Sequence, residues 1–121
     1  MVKLFHDAKS TLTQLKDKNI KIGLISNSST KIVIATLKHH KIRKYFQVVV
    51  TMNDVKHRKP APDMVLKACK ALNVRPNETI LVGDTKNDII AGKSAKCTTI
   101  GYKIKGDLEI TSLKQLLSII K

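Results

Sequence analysis

The chain has 121 residues, 42% of them apolar and 26% charged, and this composition predicts a single folded domain over residues 1–121. No apolar stretch approaches the ~20 residues that a membrane span requires, so no membrane association is expected. The first residues lack the apolar run of a secretory signal, which predicts a cytoplasmic protein.

The charge balance is strongly basic, because 23 Lys and Arg residues face 9 Asp and Glu residues and give a formal net charge of +14. Such a charge attracts polyanions, including nucleic acid. The lysines are spread along every segment, however, and two Tyr and two Phe offer little surface for base stacking. The pattern therefore favours a solvated basic surface over a nucleic-acid site, and a surface that complements an acidic partner is a third interpretation.

Short β-rich runs alternate with segments whose apolar residues recur at helical spacing, a pattern typical of α/β folds. In chain order the predicted elements are a helix at 8–15, a strand at 20–25, a helix from Ser28 or Ser29 to about His40, a strand at 46–50, a helix opened by Pro60 and Pro62, a strand at 79–82, a helix through Ala91 and Ala95, a strand at 98–100, a short extended piece at 108–110 and a final helix from Leu113.

Strands separated by helices pair in parallel through right-handed crossovers. We therefore predict a doubly wound, Rossmann-like and mostly parallel sheet of about four strands flanked by helices. The strand order 2-1-3-4 would pair the first strand directly with the third. Ligands bind at the carboxyl ends of the strands beside such a switch point, so residues just after positions 25 and 82 are the candidates for a site.

Two acids follow the third predicted strand, Asp84 in the turn and Asp88 one helical turn later. Carboxylates at this spacing can point at one hard cation, which indicates a magnesium site and phosphate chemistry. The structural alternative is a turn residue and an acid in the first turn of a helix.

Ser26 directly follows the first predicted strand, where its hydroxyl and the amides of the next helix could hold a phosphoryl oxygen. The alternative is a serine that caps the helix. Lys59 lies just before Pro60, and its ammonium could be brought to the same crevice, although a single lysine is more often solvated. Cys69 and Cys97 are isolated in the sequence and predict neither a disulfide nor a zinc site.

The segments 22–27 (Ile-Gly-Leu-Ile-Ser-Asn), 58–63 (Arg-Lys-Pro-Ala-Pro-Asp) and 82–88 (Val-Gly-Asp-Thr-Lys-Asn-Asp) resemble the second, third and fourth motifs of the haloacid dehalogenase-like hydrolase superfamily, in order and in spacing. The resemblance covers essentially the whole chain and is greatest to the phosphoglycolate phosphatase-like branch. The residues to which it assigns roles are Ser26 and Asn27 for phosphoryl binding, Lys59 for charge neutralisation, and Asp84 and Asp88 for Mg²⁺, directly or through water.

The first motif of the superfamily, Asp-x-Asp after an N-terminal strand, is absent from the sequence, and Asp7 does not replace it. In the superfamily these aspartates are the nucleophile, which becomes an aspartyl-phosphate, and the acid/base. The helical cap that selects the substrate is absent too. The resemblance therefore implies a core without its first, central strand, and three explanations stay open: a fragment, a chain whose N-terminal part is supplied separately, or a degenerate binding protein.

The resemblance implies magnesium-dependent hydrolysis of a small phosphate monoester, with the isolated chain inactive because the nucleophile is missing. An N-terminal partner segment or a homo-oligomer could complete the sheet. We expect either direct contact between residues 22–25 and 80–82 or an intervening strand from another chain. The alternative function is a non-catalytic binding protein that uses its basic surface for nucleic acid or for an acidic partner.

Overall fold

The computed structural model describes residues 8–120. Its helices are α1 (Ala8–Asp17), α2 (Thr30–His39), α3 (Asp63–Leu72), α4 (Lys86–Ser94) and α5 (Leu116–Ile119). Its strands are β1 (Gly23–Ile25), β2 (Val48–Val50), β3 (Ile80–Gly83), β4 (Thr98–Tyr102) and β5 (Leu108–Ile110). The alternation of helices and strands confirms the predicted α/β class, and the short extended piece is a fifth strand.

Two strands begin later than predicted: β1 begins at Gly23 and not at Ile20, and β2 begins at Val48 and not at Phe46. A 3-10 turn, Arg43–Tyr45, precedes it, and the Arg43 guanidinium donates to the carbonyl of Phe46 at 2.6 Å. The aromatic rings of Tyr45 and Phe46 are buried in the cluster under α2. These apolar residues therefore belong to the helix–strand connection, although their composition is that of a strand.

The strands form two parallel sheets, one of β1 and β2 and one ordered β3-β4-β5. The registers pair Gly23 with Val48 and Ile80 with Thr98. The predicted direct pairing of β1 with β3 is wrong, because no hydrogen bonds join these two strands. The two halves are held together by side chains instead, and such packing does not require the backbone N–H and C=O groups of the two strands to meet.

The cluster that joins the halves contains Val65 and Cys69 of α3, Leu81 of β3, and Ala91 of α4, with Ile25 of β1 packed against it. Helix α3 also packs on β1 and β2, whereas α4 packs on β3 and β4. One side chain of β1, Ile25, and one of β3, Leu81, thus meet this cluster, and the other apolar side chains of the two strands stay half-buried. The carboxyl ends of β1, β2 and β3 lead into the segments that carry the candidate residues.

Cys97, which follows α4, is buried in the same apolar cluster as Cys69. Although the two cysteines are far apart in the sequence, the fold places them in one cluster, and both are free thiols. No helix among residues 8–120 has the length and apolar character that a membrane span needs.

Candidate active site

Ser26 extends β1 by one residue, because its backbone N–H donates to the carbonyl of Val50 at 3.0 Å. Its hydroxyl accepts from the N–H of Ser28 at 3.1 Å, and the residue is 9% exposed. The cap of α2 is Ser29, whose side chain accepts from Ile32. Ser26 is therefore not the helix cap, and its hydroxyl lies in the turn between β1 and α2.

The side-chain amide of Asn27 forms hydrogen bonds with the backbone of Lys59. Its amide nitrogen donates to the Lys59 carbonyl at 3.2 Å, and its amide oxygen accepts from the Lys59 N–H at 3.0 Å. This reciprocal pair fixes the loop that carries Lys59 to the carboxyl end of β1. The second and third sequence motifs are thus joined by two hydrogen bonds.

Lys59 extends its ammonium to Asp88, where it forms an ion pair with Oδ1. The two side chains are only 11% and 10% exposed, so the pair is largely shielded from water. The alternative of a solvated surface lysine is therefore wrong. A buried lysine is retained when an opposite charge compensates its desolvation, and here Asp88 supplies that charge.

The carboxylate of Asp88 is held on its other oxygen by Thr85. Oδ2 accepts from the Thr85 N–H at 3.2 Å and from the Thr85 hydroxyl at 2.8 Å, while the Asp88 N–H donates back to that hydroxyl at 3.2 Å. This is a capping box at the start of α4. The alternative of a first-turn helix acid is thus correct in geometry for Asp88, which combines this capping with the ion pair to Lys59.

Gly83 makes room for this arrangement at the end of β3. A Cβ added to Gly83 would lie 2.2 Å from the Cβ of Asp88 and 2.8 Å from its Oδ2. No side chain fits there unless Asp88 moves, so the glycine allows the carboxylate to fold back over the strand end. The next residue, Asp84, is half-buried in the turn between β3 and α4.

Two carboxylates, Asp84 and Asp88, are the candidate metal ligands at this strand end. Mg²⁺ prefers six oxygen ligands, commonly one or two carboxylates with waters and substrate oxygens. Among residues 8–120, no group of three or more His, Cys, Asp or Glu side chains could hold a metal. The two carboxylates are too few to hold Mg²⁺ by themselves, and because both oxygens of Asp88 already accept hydrogen bonds from Lys59 and Thr85, an ion there would need waters and an oxygen ligand from elsewhere.

The structure thus brings together Asn27, Lys59 and Asp88 by direct contacts, with Ser26 and Asp84 next to them in the chain. Sequence reasoning missed Thr85, although the pattern Thr85-x-x-Asp88 at the start of a helix is the signal of a capping box. It also missed that the Asn27 amide positions Lys59. That contact joins residues 32 positions apart, and no local pattern announces it.

This arrangement joins a hydroxyl, an ammonium and two carboxylates at the carboxyl ends of parallel strands. Hydroxyl and ammonium groups can hold phosphoryl oxygens, and carboxylates can hold a divalent cation. Groups of these two kinds at one strand end are those that a phosphorylated ligand with its cation would use.

Comparisons with known proteins agree with this chemistry. The family of haloacid dehalogenase-like hydrolases matches residues 1–102. Among curated proteins, the chain is 34% identical to the pyrophosphatase PpaX of Anoxybacillus flavithermus, over 99% of this chain and 61% of that protein. It is also 34% identical to the pyrophosphatase PpaX of Bacillus mycoides, over 94% of this chain and 54% of that protein. The chain thus spans little more than half the length of these relatives.

Solved structures resemble the fold closely. One described as a predicted phosphoglycolate phosphatase from Haemophilus somnus has a TM-score of 0.91 and 27% identity, covering 98% of this chain and 58% of that one. A phosphatase of the same superfamily from Thermococcus onnurineus has a TM-score of 0.90 and 29% identity, with the same two shares covered. The match to both covers nearly all of this chain and little more than half of theirs.

Proposed function

Because the chain belongs to the haloacid dehalogenase-like hydrolase family, we propose that it carries the phosphate- and metal-binding part of a magnesium-dependent hydrolase of small phosphate monoesters. The observation that supports this most is the continuous contact from Asn27 through Lys59 to Asp88. It joins three separate motifs at one edge of the fold. A protein that needed these residues only for helix caps would not require that junction.

In this proposal the Ser26 hydroxyl donates to a phosphoryl oxygen of the substrate, and the Lys59 ammonium neutralises charge on the same group. Asn27 positions Lys59 through the two hydrogen bonds to its backbone. Asp84 and Asp88 would hold Mg²⁺ together with water. When bound, the ion supplies positive charge that stabilises the transferring phosphoryl group.

The nucleophile is proposed to come from a segment outside this chain. The sequence contains no Asp-x-Asp. A covalent phosphoryl group on Asp88 would displace its Lys59 ion pair or its Thr85 hydrogen bonds, whereas Mg²⁺ could be held by Asp88 through water with these contacts kept. The isolated chain should therefore bind phosphate and metal weakly and should not form an aspartyl-phosphate.

The completing segment is proposed to enter as a strand between β1 and β3. Among residues 8–120, β1 is hydrogen-bonded only to β2, and β3 only to β4. Each thus has an edge that a further parallel strand could use, and exposed edges commonly recruit one. Leu24 of β1 and Val82 of β3 are half-buried, and an added strand would cover them further.

The proposal is tested by supplying the missing part in trans. The chain is co-expressed with the part of the Anoxybacillus relative that it does not cover, and hydrolysis of p-nitrophenyl phosphate and of pyrophosphate is measured with and without Mg²⁺. We expect Mg²⁺-dependent hydrolysis only in the complemented sample, and its loss in Lys59→Met. Hydrolysis by the purified chain alone that disappears in Asp84→Asn would contradict the account of the missing nucleophile.

A second candidate, a non-catalytic binding protein, is favoured by the net charge of +14. It predicts binding to nucleic acid that weakens steeply with salt and does not respond to Mg²⁺ and phosphate. A filter-binding titration at two salt concentrations separates the two candidates, because the proposed hydrolase requires no such binding.

A further inference from the structure

Cys69 and Cys97 form a buried thiol pair away from the candidate active site. Cys69 lies on the inner face of α3 and Cys97 in the turn between α4 and β4, and they are 3% and 7% exposed. Both are free thiols. They belong to one apolar cluster, and both lie beside Thr79, because the Cys69 thiol donates to the Thr79 hydroxyl and Thr98, next to Cys97, donates its N–H to the Thr79 carbonyl. The fold therefore brings together two sulfur atoms that are separated by 27 intervening residues.

The Cys69 thiol is part of a chain of hydrogen bonds. The Cys69 thiol donates to the hydroxyl of Thr79 at 3.5 Å, and that hydroxyl donates to the carbonyl of Arg75 at 2.8 Å. Burial, and then the neighbouring Cys69, raise the pKa of the Cys97 thiol to about 11. The Cys69 sulfur is thus held in place, and the raised pKa keeps Cys97 protonated near neutral pH.

The position of the pair matters because it crosses the break between the two sheets. Helix α3, which carries Cys69, packs on β1 and β2, whereas Cys97 directly precedes β4 in the other sheet. No strand hydrogen bonds join the two sheets. A covalent bond between these sulfur atoms would therefore add a link between two halves that side-chain contacts, including the Lys59–Asp88 ion pair, now hold together.

We propose that Cys69 and Cys97 are a modification site, at which a hydroperoxide converts the two thiols into an intrachain disulfide that fastens the two halves of the fold. In the first step one thiol breaks the O–O bond of hydrogen peroxide, becomes a sulfenic acid and releases one water. In the second step the other thiol attacks that sulfur, the S–S bond forms and a second water leaves. Two thiols are oxidised, and one peroxide is reduced to two waters.

The disulfide should stabilise the fold by restricting the unfolded chain. A closed loop of this length typically yields a rise of about 10 °C in the midpoint of thermal unfolding for a domain of this size. The link would connect α3, which follows the Lys59 loop, to the segment that follows α4, the helix that carries Asp88 in its first turn. This inference does not depend on the proposed hydrolase activity, and its readouts are independent of substrate.

The test exposes the folded chain to hydrogen peroxide, blocks remaining thiols by alkylation and maps tryptic peptides without reduction. We expect a cross-linked pair consisting of peptides 68–70 and 97–103, a rise of about 10 °C in the unfolding midpoint, and reversal of both by dithiothreitol. Oxidation should be slow at neutral pH and faster at pH 9, since a larger fraction of Cys97 is then the reactive thiolate.

Cys97→Ser and Cys69→Ala serve as paired controls, and each should show no cross-link and no peroxide-dependent rise. Two variants are used so that the control remains valid if one of them folds poorly. Two free thiols after prolonged exposure would overturn the proposal. So would sulfinic or sulfonic acid without a cross-link, cross-links formed only between molecules, or a cross-link that lowers the unfolding midpoint.

Discussion

Two turns of this molecule share one local design and differ in what surrounds it. Thr51-Met52-Asn53-Asp54 follows β2, and Thr85-Lys86-Asn87-Asp88 follows β3. In both, one carboxylate oxygen accepts from the N–H and the hydroxyl of the threonine: at 2.8 and 3.2 Å for Asp54, and at 3.2 and 2.8 Å for Asp88. The same four-residue pattern thus orients both acids.

The difference lies in burial and in the partner of the second oxygen. Asp54 is exposed, whereas Asp88 is buried and its Oδ1 faces the Lys59 ammonium. Two residues before the threonine, the first turn has Val49 and the second has Gly83, whose missing Cβ leaves space for Asp88. A capping box therefore sets the direction of a carboxylate, but only the tertiary contacts of the second turn make that carboxylate part of a candidate site.

The largest effect should come from removing each acid. Asp88→Ala loses the cap and leaves the Lys59 ammonium buried without its partner, so we expect the free energy of unfolding to fall by about 3–5 kcal/mol. Asp54→Ala loses an exposed cap and should cost about 1 kcal/mol. Urea unfolding of both variants measures the difference, and equal losses would show that the buried ion pair adds nothing.

A double-mutant cycle sharpens the comparison next. Lys59→Met and Asp88→Asn should be coupled by about 2 kcal/mol, since each single change strands the other partner. Lys59→Met with Asp54→Asn is the matched control and should be additive within about 0.5 kcal/mol. Coupling in the control cycle as strong as in the test cycle would mean that the effect is not specific to the contact.

Gly83→Ala should destabilise the protein by about 2 kcal/mol, because its Cβ would overlap Asp88 and force the carboxylate away from Lys59. Val49→Ala probes the equivalent position of the first turn, where it only removes apolar contacts. If overlap with Asp88 causes the loss of stability, the double variant Gly83→Ala with Lys59→Met should lose less free energy of unfolding than the sum of the two single variants. Strict additivity in unfolding experiments would contradict that explanation.

The smallest effect is expected for Asn27→Ala, which removes two hydrogen bonds to the Lys59 backbone and should cost about 1 kcal/mol. Asn53→Ala is its control, because Asn53 makes a similar bond to the N–H of Thr30 at 2.8 Å. The two variants should be similar in stability. Only Asn27→Ala should weaken binding of orthophosphate, measured by calorimetry in the presence of Mg²⁺.

The sequence predicted the alternation of elements and most of the candidate residues, because both are local. Apolar periodicity defines each helix and strand, and the helix cap of α2 and the strand ending at Gly83 are recognisable from a few neighbouring residues. The turn that precedes β2 was misassigned because Phe46 is buried against α2 and not in a sheet.

What the sequence did not predict depends on distant contacts. Direct pairing of β1 with β3 was wrong because a pattern of strands gives their direction but not which edges meet. The Asn27–Lys59 bonds and the Cys69–Cys97 pair likewise join residues that no local pattern connects. The resemblance to the superfamily indicated that the three motifs converge, but the hydrogen bonds that achieve it are visible only in the folded chain.

The central claim is that Lys59, Asp84 and Asp88 form one half of a site for phosphate and Mg²⁺. It is tested most directly by thermal unfolding of the chain with Mg²⁺, with orthophosphate and with both, in the wild type and in Asp84→Asn, Lys59→Met and Asp54→Asn. The account predicts that Mg²⁺ and orthophosphate together raise the unfolding midpoint by more than the sum of their separate effects in the wild type and in Asp54→Asn. It predicts no such synergy in Asp84→Asn or in Lys59→Met. A synergistic rise that persists in Asp84→Asn and Lys59→Met, or no rise in the wild type, would contradict it.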